Sequence, residues 1–246
     1  MYPSAIRDDF IELCQPLLIG TIYECGSRDA IDGCELASRI GAQELHVFEC
    51  NPAAIALCHT TLNSRSWSFT HKLNPVAVSD HTGVIGFLPV VPEASQTSHS
   101  DGNIGASSIF QLNKDYPHEH LVQRRIEVPT VTLDDYMTDN SPPDLLWLDV
   151  QGAELLALRG AVRMLARVKV IHLEIAFRPV FENQPLFSAI DALLRRDFRL
   201  VRLYSSTTWW KSSLLRLNRW VPLTHWLGVG PWFTDAVYIR RDIEPA

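Results

Sequence analysis

Apolar residues along this chain fall into two alternating patterns. Short, nearly uninterrupted apolar or β-prone runs predict strands at 17–25, 44–50, 71–80, 84–90, 124–133, 144–149, 169–175, 198–204 and 235–241. Between many of them, apolar positions recur at helical spacing. These predict helices over 4–15, 31–41, 52–64, 152–167 and 185–196, with a shorter one opened by Asp134 and Asp135. Local signals support the boundaries: Gly41 suits a helix C-cap, and Pro52 suits a first helical turn. The "DHTG" turn (80–83) separates two of the strands, and the polar stretch 92–120 reads as a long loop.

Alternation of strand and helix at crossover lengths predicts a parallel α/β sheet wound on both faces. Continuous apolar strands are what such a sheet requires, because both faces are covered. In that architecture ligands sit beyond the carboxyl ends of the strands. The run "DLLWLDV" ends abruptly on Asp149, and a carboxylate at the tip of a buried strand is costly without a partner or a ligand.

With 246 residues and 46% hydrophobic content, the chain is read as one domain over 1–246. The net charge of -6 argues against a nucleic-acid surface. The five cysteines are odd in number and form no C-x-x-C pair, so reduced thiols are expected rather than a disulfide framework or a zinc site. No signal-peptide pattern opens the sequence and no run of about 18 apolar residues occurs, so a cytoplasmic protein without a spanning helix is expected.

Three strand ends carry acids. "YECGSRDA" places Glu24 before the turn at Gly26, "HVFECNP" places Glu49 after the next strand, and Asp149 ends the third. Glu49 follows Glu24 at close to the interval of about 20 residues at which an acid meets ribose hydroxyls in nucleotide folds. Only Gly26 is present where a dinucleotide would require G-x-G-x-x-G, which disfavours an NAD-dependent oxidoreductase. S-adenosylmethionine offers ribose hydroxyls, an amino-acid end and a sulfonium, and needs no phosphate cradle.

In order, "YECGSRDA", "FECNP", "GNIGASSIF", "VPTVTLDDY" and "DLLWLDVQGAELLALRGA" resemble the FkbM-type methyltransferases, over about residues 20–200. The resemblance implies a class I, Rossmann-like methyltransferase sheet of about seven strands with the last antiparallel. It also implies S-adenosylmethionine as cofactor, and O-methylation of a hydroxyl on a sugar, glycoconjugate or related natural product. It places Glu24, Gly26, Ser27, Arg28 and Asp29 in the first cofactor turn, and Glu49 with Asn51 at the ribose. Val78, Ser79 and Asp80 fall near the adenine, Ser107 and Ser108 before the fourth strand, and Asp149, Gly152 and Glu154 in the strand-four motif. Three positions depart from the family pattern: Ala30 where Gly is common, Gln151 where Glu is usual, and Trp147 where Lys is usual.

Methyl transfer needs an aligned hydroxyl and a base for its proton. Asp149, His172 and Glu174 are the candidates. Each also has a plain structural reading. Asp149 can cap the following helix, His172 can be a core histidine, and Glu174 can pair with an arginine. Glu154 sits where a helix dipole favours an acid. His118 and His120 in "YPHEHL" lack a third ligand at fixed spacing, so no metal is assigned. A nucleoside-binding or assembly protein on the same fold, without catalysis, is the competing function.

Residues 205–233 hold five of the seven tryptophans, with Lys211, Arg216 and Arg219 and no acid before Phe233. This insertion precedes the last strand. It is read as a lid over the acceptor, a surface that pairs with a second copy, or a peripheral membrane contact.

Overall fold

The computed structural model describes residues 4–117, 119–204 and 232–243. In chain order the main elements are α1 (Ser4–Cys14), β1 (Thr21–Cys25), α2 (Ile31–Ile40), β2 (Glu44–Phe48), α3 (Pro52–Leu62), β3 (Thr70–Asn74), β4 (Ala77–Val78) and β5 (Gly83–Phe87). They continue with β6 (Ile126–Val131), α4 (Leu133–Tyr136), β7 (Leu145–Leu148), α5 (Glu154–Arg159), α6 (Val162–Leu165), β8 (Val170–Ala176), α7 (Phe187–Leu194), β9 (Phe198–Tyr204) and β10 (Phe233–Arg240).

Seven strands form one sheet in the order β3-β2-β1-β7-β8-β10-β9. All neighbours pair in parallel except β10, which runs antiparallel between β8 and β9. This is the class I methyltransferase sheet, with its last strand antiparallel, that the resemblance implies. β1 continues to β2 on one side and abuts β7 on the other, so the winding direction reverses between β1 and β7. A crevice opens at such a reversal, beyond the carboxyl ends of both strands.

Both faces of these central strands are buried, which explains their unbroken apolar sequence. Tyr23, Cys25, Leu146 and Leu148 point into one core cluster, with residues of α5 and α7. Ile22, Leu45, Leu145 and Trp147 point into the other, with Phe10 and Ile11 of α1 and Cys34, Leu36 and Ala37 of α2. Gly41 closes α2 in the left-handed conformation at φ 74°, its N–H donating to the Ala37 carbonyl. Asn51 caps α3 by accepting from the Ala53 N–H, with Pro52 in the first turn.

Two expected elements divide. The run 71–80 supplies β3 to the main sheet and then β4 to a second sheet ordered β4-β6-β5. The strands flanking the "DHTG" turn therefore do not pair with each other; both pair with β6. The helix expected over 152–167 breaks into α5 and α6 at Gly160 and Ala161. The Ser79 carbonyl approaches Gly160 so closely that a Cβ there would lie 2.1 Å from it. The insertion readings on 205–233 and the reading of His118 fall, apart from Trp232 and Phe233, outside the described residues. Among those described, no helix is long and apolar enough to cross a membrane.

Candidate active site

The loops after β1, β2 and β7 meet at the crevice. Gly26 is required there for a reason internal to the protein. It adopts φ 82°, and a Cβ on it would lie 1.8 Å from the Asp149 carbonyl oxygen. The Asp149 N–H donates to the Cys25 carbonyl at 2.9 Å, extending the β1–β7 ladder by one step. The two loops are thereby locked together, and Asp149 is carried to the rim of the crevice.

Two adjoining hollows share Gly26, Arg28, Gly105, Asp149 and Gln151. One is a narrow slot of about 60 Å³, walled by Phe48, Ala54, Val78, Phe87 and Ile109, with Glu49, Asn51 and Ser107 as polar lining. The other is a wide hollow of about 590 Å³, reaching Glu24, Ser27, Asp29, Tyr116, Trp147, Glu174, Phe181 and Phe233.

Glu49 is a buried acid in the lining of the slot. Its carboxylate accepts from the backbone N–H groups of Arg28 at 2.9 Å and of Cys50 and Asn51 at 2.7 Å each. A carboxylate has about four lone-pair sites, so acceptor capacity remains for a ligand hydroxyl. Burial raises its pKa above the ordinary range, and those three donors oppose the rise. Asn51 donates from its amide to Ser107 Oγ at 3.1 Å, tying the α3 cap to the opposite wall.

Glu24 reaches the wide hollow, but it is buried and packs onto the first turn of α2. A Cβ at Gly33 would lie 2.1 Å from Oε2, and that oxygen has no hydrogen-bond partner among the described residues. Burial pushes its carboxyl up to about 8. Ser27 accepts from the Ala30 N–H at 3.0 Å, and Asp29 from the Ile31 N–H at 3.1 Å. Arg28 turns its guanidinium onto Asp29 at 2.8 Å, with Arg28 and Ala30 both left-handed. This is how the turn accommodates Ala30.

Asp149 and Glu174 face the wide hollow, joined by Gln151. The Gln151 amide donates to Asp149 Oδ1 at 2.6 Å and to Glu174 Oε2 at 3.4 Å. Burial raises both carboxyls, Glu174 well above its ordinary value, with Asp149 and Asp235 adding repulsion there. Glu154 does not enter either hollow. Its Oε1 accepts from the Val150 N–H at 3.1 Å and the Gly152 N–H at 3.2 Å, holding the loop that carries Asp149.

Several expected residues lie elsewhere. His172 shares the sheet face of Glu174 but packs in the core, 4.7 Å from the Trp147 ring and 4.8 Å from the Phe10 ring, and lines neither hollow. Burial lowers its pKa to about 3, which keeps it neutral. Val78 lines the slot, whereas Ser79 and Asp80 do not. Ser79 is buried and its N–H donates to the Val131 carbonyl; Asp80 pairs with His81 at 3.0 Å on the surface. Ser107 lines the slot, while Ser108 lies behind it and donates to the Gln151 carbonyl at 2.7 Å. Sequence reasoning did not assign Gln151 a contact, and missed Phe48, Phe87, Ile109, Tyr116 and Phe181. Gln151 was visible as a departure from the resembled motif; the apolar walls carried no signal apart from being apolar. No group of three His, Cys, Asp or Glu side chains is placed to hold a metal ion among the described residues.

A family model described as the methyltransferase FkbM domain matches residues 24–200. The chain is 29% identical, over 186 residues, to the 2-O-methyltransferase NoeI of Sinorhizobium fredii (strain NBRC 101917 / NGR234), covering 70% of each. A putative rRNA-methylase of Clostridium thermocellum is similar in structure at a TM-score of 0.49 and 9% identity, over 96% of each chain. WbdD, crystallised with a kinase inhibitor, aligns at a TM-score of 0.45 and 11% identity, over 97% of this chain and 41% of that one. The chain thus spans about two fifths of WbdD.

Proposed function

This chain belongs to the FkbM methyltransferase family, and from that premise we propose that it is an S-adenosylmethionine-dependent O-methyltransferase. The acceptor we propose is a hydroxyl of a sugar, glycoconjugate or related natural product. The observation that carries the reading is the pairing of the two hollows. An apolar slot lined by a buried acid with acceptor capacity left adjoins a wide basin rich in carboxylates, Asp149 and Glu174 among them.

The residues fit the cofactor. The apolar walls of the slot suit a flat adenine, and Glu49 suits ribose hydroxyls. The first turn offers no run of glycines, and the donor has no phosphate to cradle. Arg28 lines both hollows, and Asp29 and Glu24 lie in the basin lining. Bound there, the donor would supply a sulfonium methyl for the acceptor oxygen and leave as the neutral thioether, with the hydroxyl proton released to the protein.

The chain's own residues orient the acceptor and take that proton. Asp149 stands at the junction of slot and basin and is the proton acceptor in this reading. Tyr116, Phe181 and Phe233 offer aromatic faces to a ring, and Trp147 lies in the basin lining. The basin is rich in carboxylates, with Arg28 as the guanidinium in its lining, which favours an uncharged or cationic acceptor over a nucleic acid. The likeness to NoeI, a 2-O-methyltransferase, supports transfer to oxygen. The five cysteines stand as free thiols, four of them buried, which supports a reducing, cytoplasmic setting.

Two measurements test the proposal. Calorimetric titration with S-adenosylmethionine is expected to give a single site, weakened at least tenfold in Glu49→Ala. Incubation with methyl-labelled donor and a panel of glycans is expected to label an acceptor. Binding of NAD in preference to the sulfonium donor would reject the cofactor, and tight donor binding without transfer to any hydroxyl would favour a binding protein.

A further inference from the structure

We propose that Gln151 is a positioning residue for the proton-accepting carboxylate: its amide, set between Asp149 and Glu174, keeps Asp149 ionised and leaves the proton of the pair on Glu174. The inference rests on the reading of Asp149 as the base.

The geometry is asymmetric. Gln151 Nε2 lies 2.6 Å from Asp149 Oδ1 and 3.4 Å from Glu174 Oε2. A glutamine amide has two N–H donors and no charge. It can therefore support one neighbouring carboxylate strongly, but it cannot neutralise two. Hydrogen bonds to an ionised acceptor are the short, strong ones, so the shorter contact marks Asp149 as the charged member.

The surroundings push the same way. Asp149 lies within electrostatic reach of the Arg28 guanidinium, which is itself bonded to Asp29, and of the acids Asp32 of α2, Glu49 after β2 and Glu154 of α5. Glu174 faces Asp235, its partner in register on β10, together with Asp149 and Glu154. Among the described residues, Arg28 favours the ionised form of Asp149, whereas the charges that act on Glu174 are acids. Two like charges at such a site do not both ionise readily.

The aim of the amide is fixed by its backbone. Gln151 is left-handed at φ 51°, and Gly152 follows at φ 97°. The Gln151 carbonyl accepts from Ser108 Oγ at 2.7 Å, and the Gly152 N–H is held by Glu154. A side chain longer than Asn in this conformation costs strain, and such strain persists where the surroundings over-determine it. Here it brings one donor to two acids. The acceptor proton then passes to an Asp149 carboxylate that is already ionised, while Glu174 keeps its own.

The test uses the full chain and the variants Gln151→Met, which keeps the length without a donor, and Gln151→Glu, which adds a third acid. Carboxyl carbon resonances of Asp149 and Glu174, assigned with Asp149→Asn and Glu174→Gln, are followed against pH. Asp149 is expected to ionise at lower pH than Glu174 in the natural protein, and to move toward Glu174 in Gln151→Met and further in Gln151→Glu. The acid limb of kcat/KM is expected to move to higher pH in Gln151→Met, with about a tenfold loss at a fixed pH on that limb that is recovered on raising the pH. If Met at 151 prevents folding, Gln151→Asn, which tolerates the left-handed backbone, is read by the same titration. An Asp149 resonance that titrates identically in the natural protein and the donor-less variant overturns the inference, as does Glu174 ionising first. The titrations stand without turnover, so an inert protein with the expected titrations would refute the methyltransfer reading and support the pair.

Discussion

His172 and Glu174 stand two residues apart on β8, on one face, yet only one of them meets the hollow. Glu174 lies toward the strand end beside Asp149, whereas His172 is enclosed by Phe10, Trp147 and Tyr204. Burial holds its imidazole neutral down to about pH 3, so it gains no proton in the range where a base would act. We therefore expect His172→Phe to leave the pH profile of methyl transfer unmoved, with kcat within about twofold of the natural protein, a loss under about 1 kcal/mol in the barrier. An acid limb that disappears in this variant would return His172 to the list of bases. The contrast shows what was legible at this scale. Strand alternation gave the face of each side chain correctly, and acids at strand ends were found because burying one is costly. Depth along a strand is not periodic, and the sequence held no sign that Trp147 would lie between His172 and the basin. Ser107 and Ser108 illustrate the same limit: adjacent serines point to opposite sides, and only the fold says which side is the slot.

The helix after β7 shows how distant residues divide an element that local pattern joins. From 152 to 167 the apolar positions repeat at helical spacing, and no proline intervenes. The break comes from outside. Asp134, at the start of α4, accepts from the backbone N–H groups of Arg163 and Met164, both at 2.8 Å, and so caps α6 across a gap of 29 and 30 residues. Its own N–H donates to the Gly160 carbonyl at 2.9 Å. The chain exchanges one helical turn for these bonds and for the approach of Ser79 to Gly160. Asp134→Ala should therefore cost about 1–2 kcal/mol, the usual price of a lost cap, read as a lowered midpoint in urea with an unchanged slope. Because α5 follows the Asp149 loop directly, the donor affinity is the second readout. An unaltered midpoint would mean that the α5–α6 break is set by Gly160 alone. The division of 71–80 has a similar origin, since β3 and β4 are separated by Pro75 and drawn to different sheets. Element types and their order could be read from periodicity; breaks imposed by tertiary contacts could not.

Across the whole molecule, the buried acids in and behind the crevice are expected to set the pH response of the fold. Glu24 and Glu154 keep their protons in the folded protein up to about 8, against an ordinary 4.5, chiefly through burial. Between those values the folded state binds more protons than the unfolded chain. Their contribution is thus fully present below about pH 4.5 and is lost as pH rises through about 8. Glu49, Asp149 and Glu174 are displaced in the same direction. His172 acts oppositely: its folded value of about 3 lies below the ordinary 6.5, so its effect falls on acidification through that window and is complete above it. Above pH 6.5 the histidine no longer varies, and the buried carboxyls decline without opposition from it. The melting temperature is accordingly expected to fall from pH 6.5 to 8 at constant ionic strength, and the slope to flatten in Glu24→Gln, whose neutral amide removes one titrating group. A cationic donor bound among these acids should offset part of the fall, giving a larger thermal shift at pH 8 than at pH 6.5, because the ionised crevice attracts it more strongly. A melting temperature that rises over this range, in the natural protein without donor, would show that the crevice acids remain charged in the fold, and with that result the protonated Glu174 invoked above would lose its physical basis.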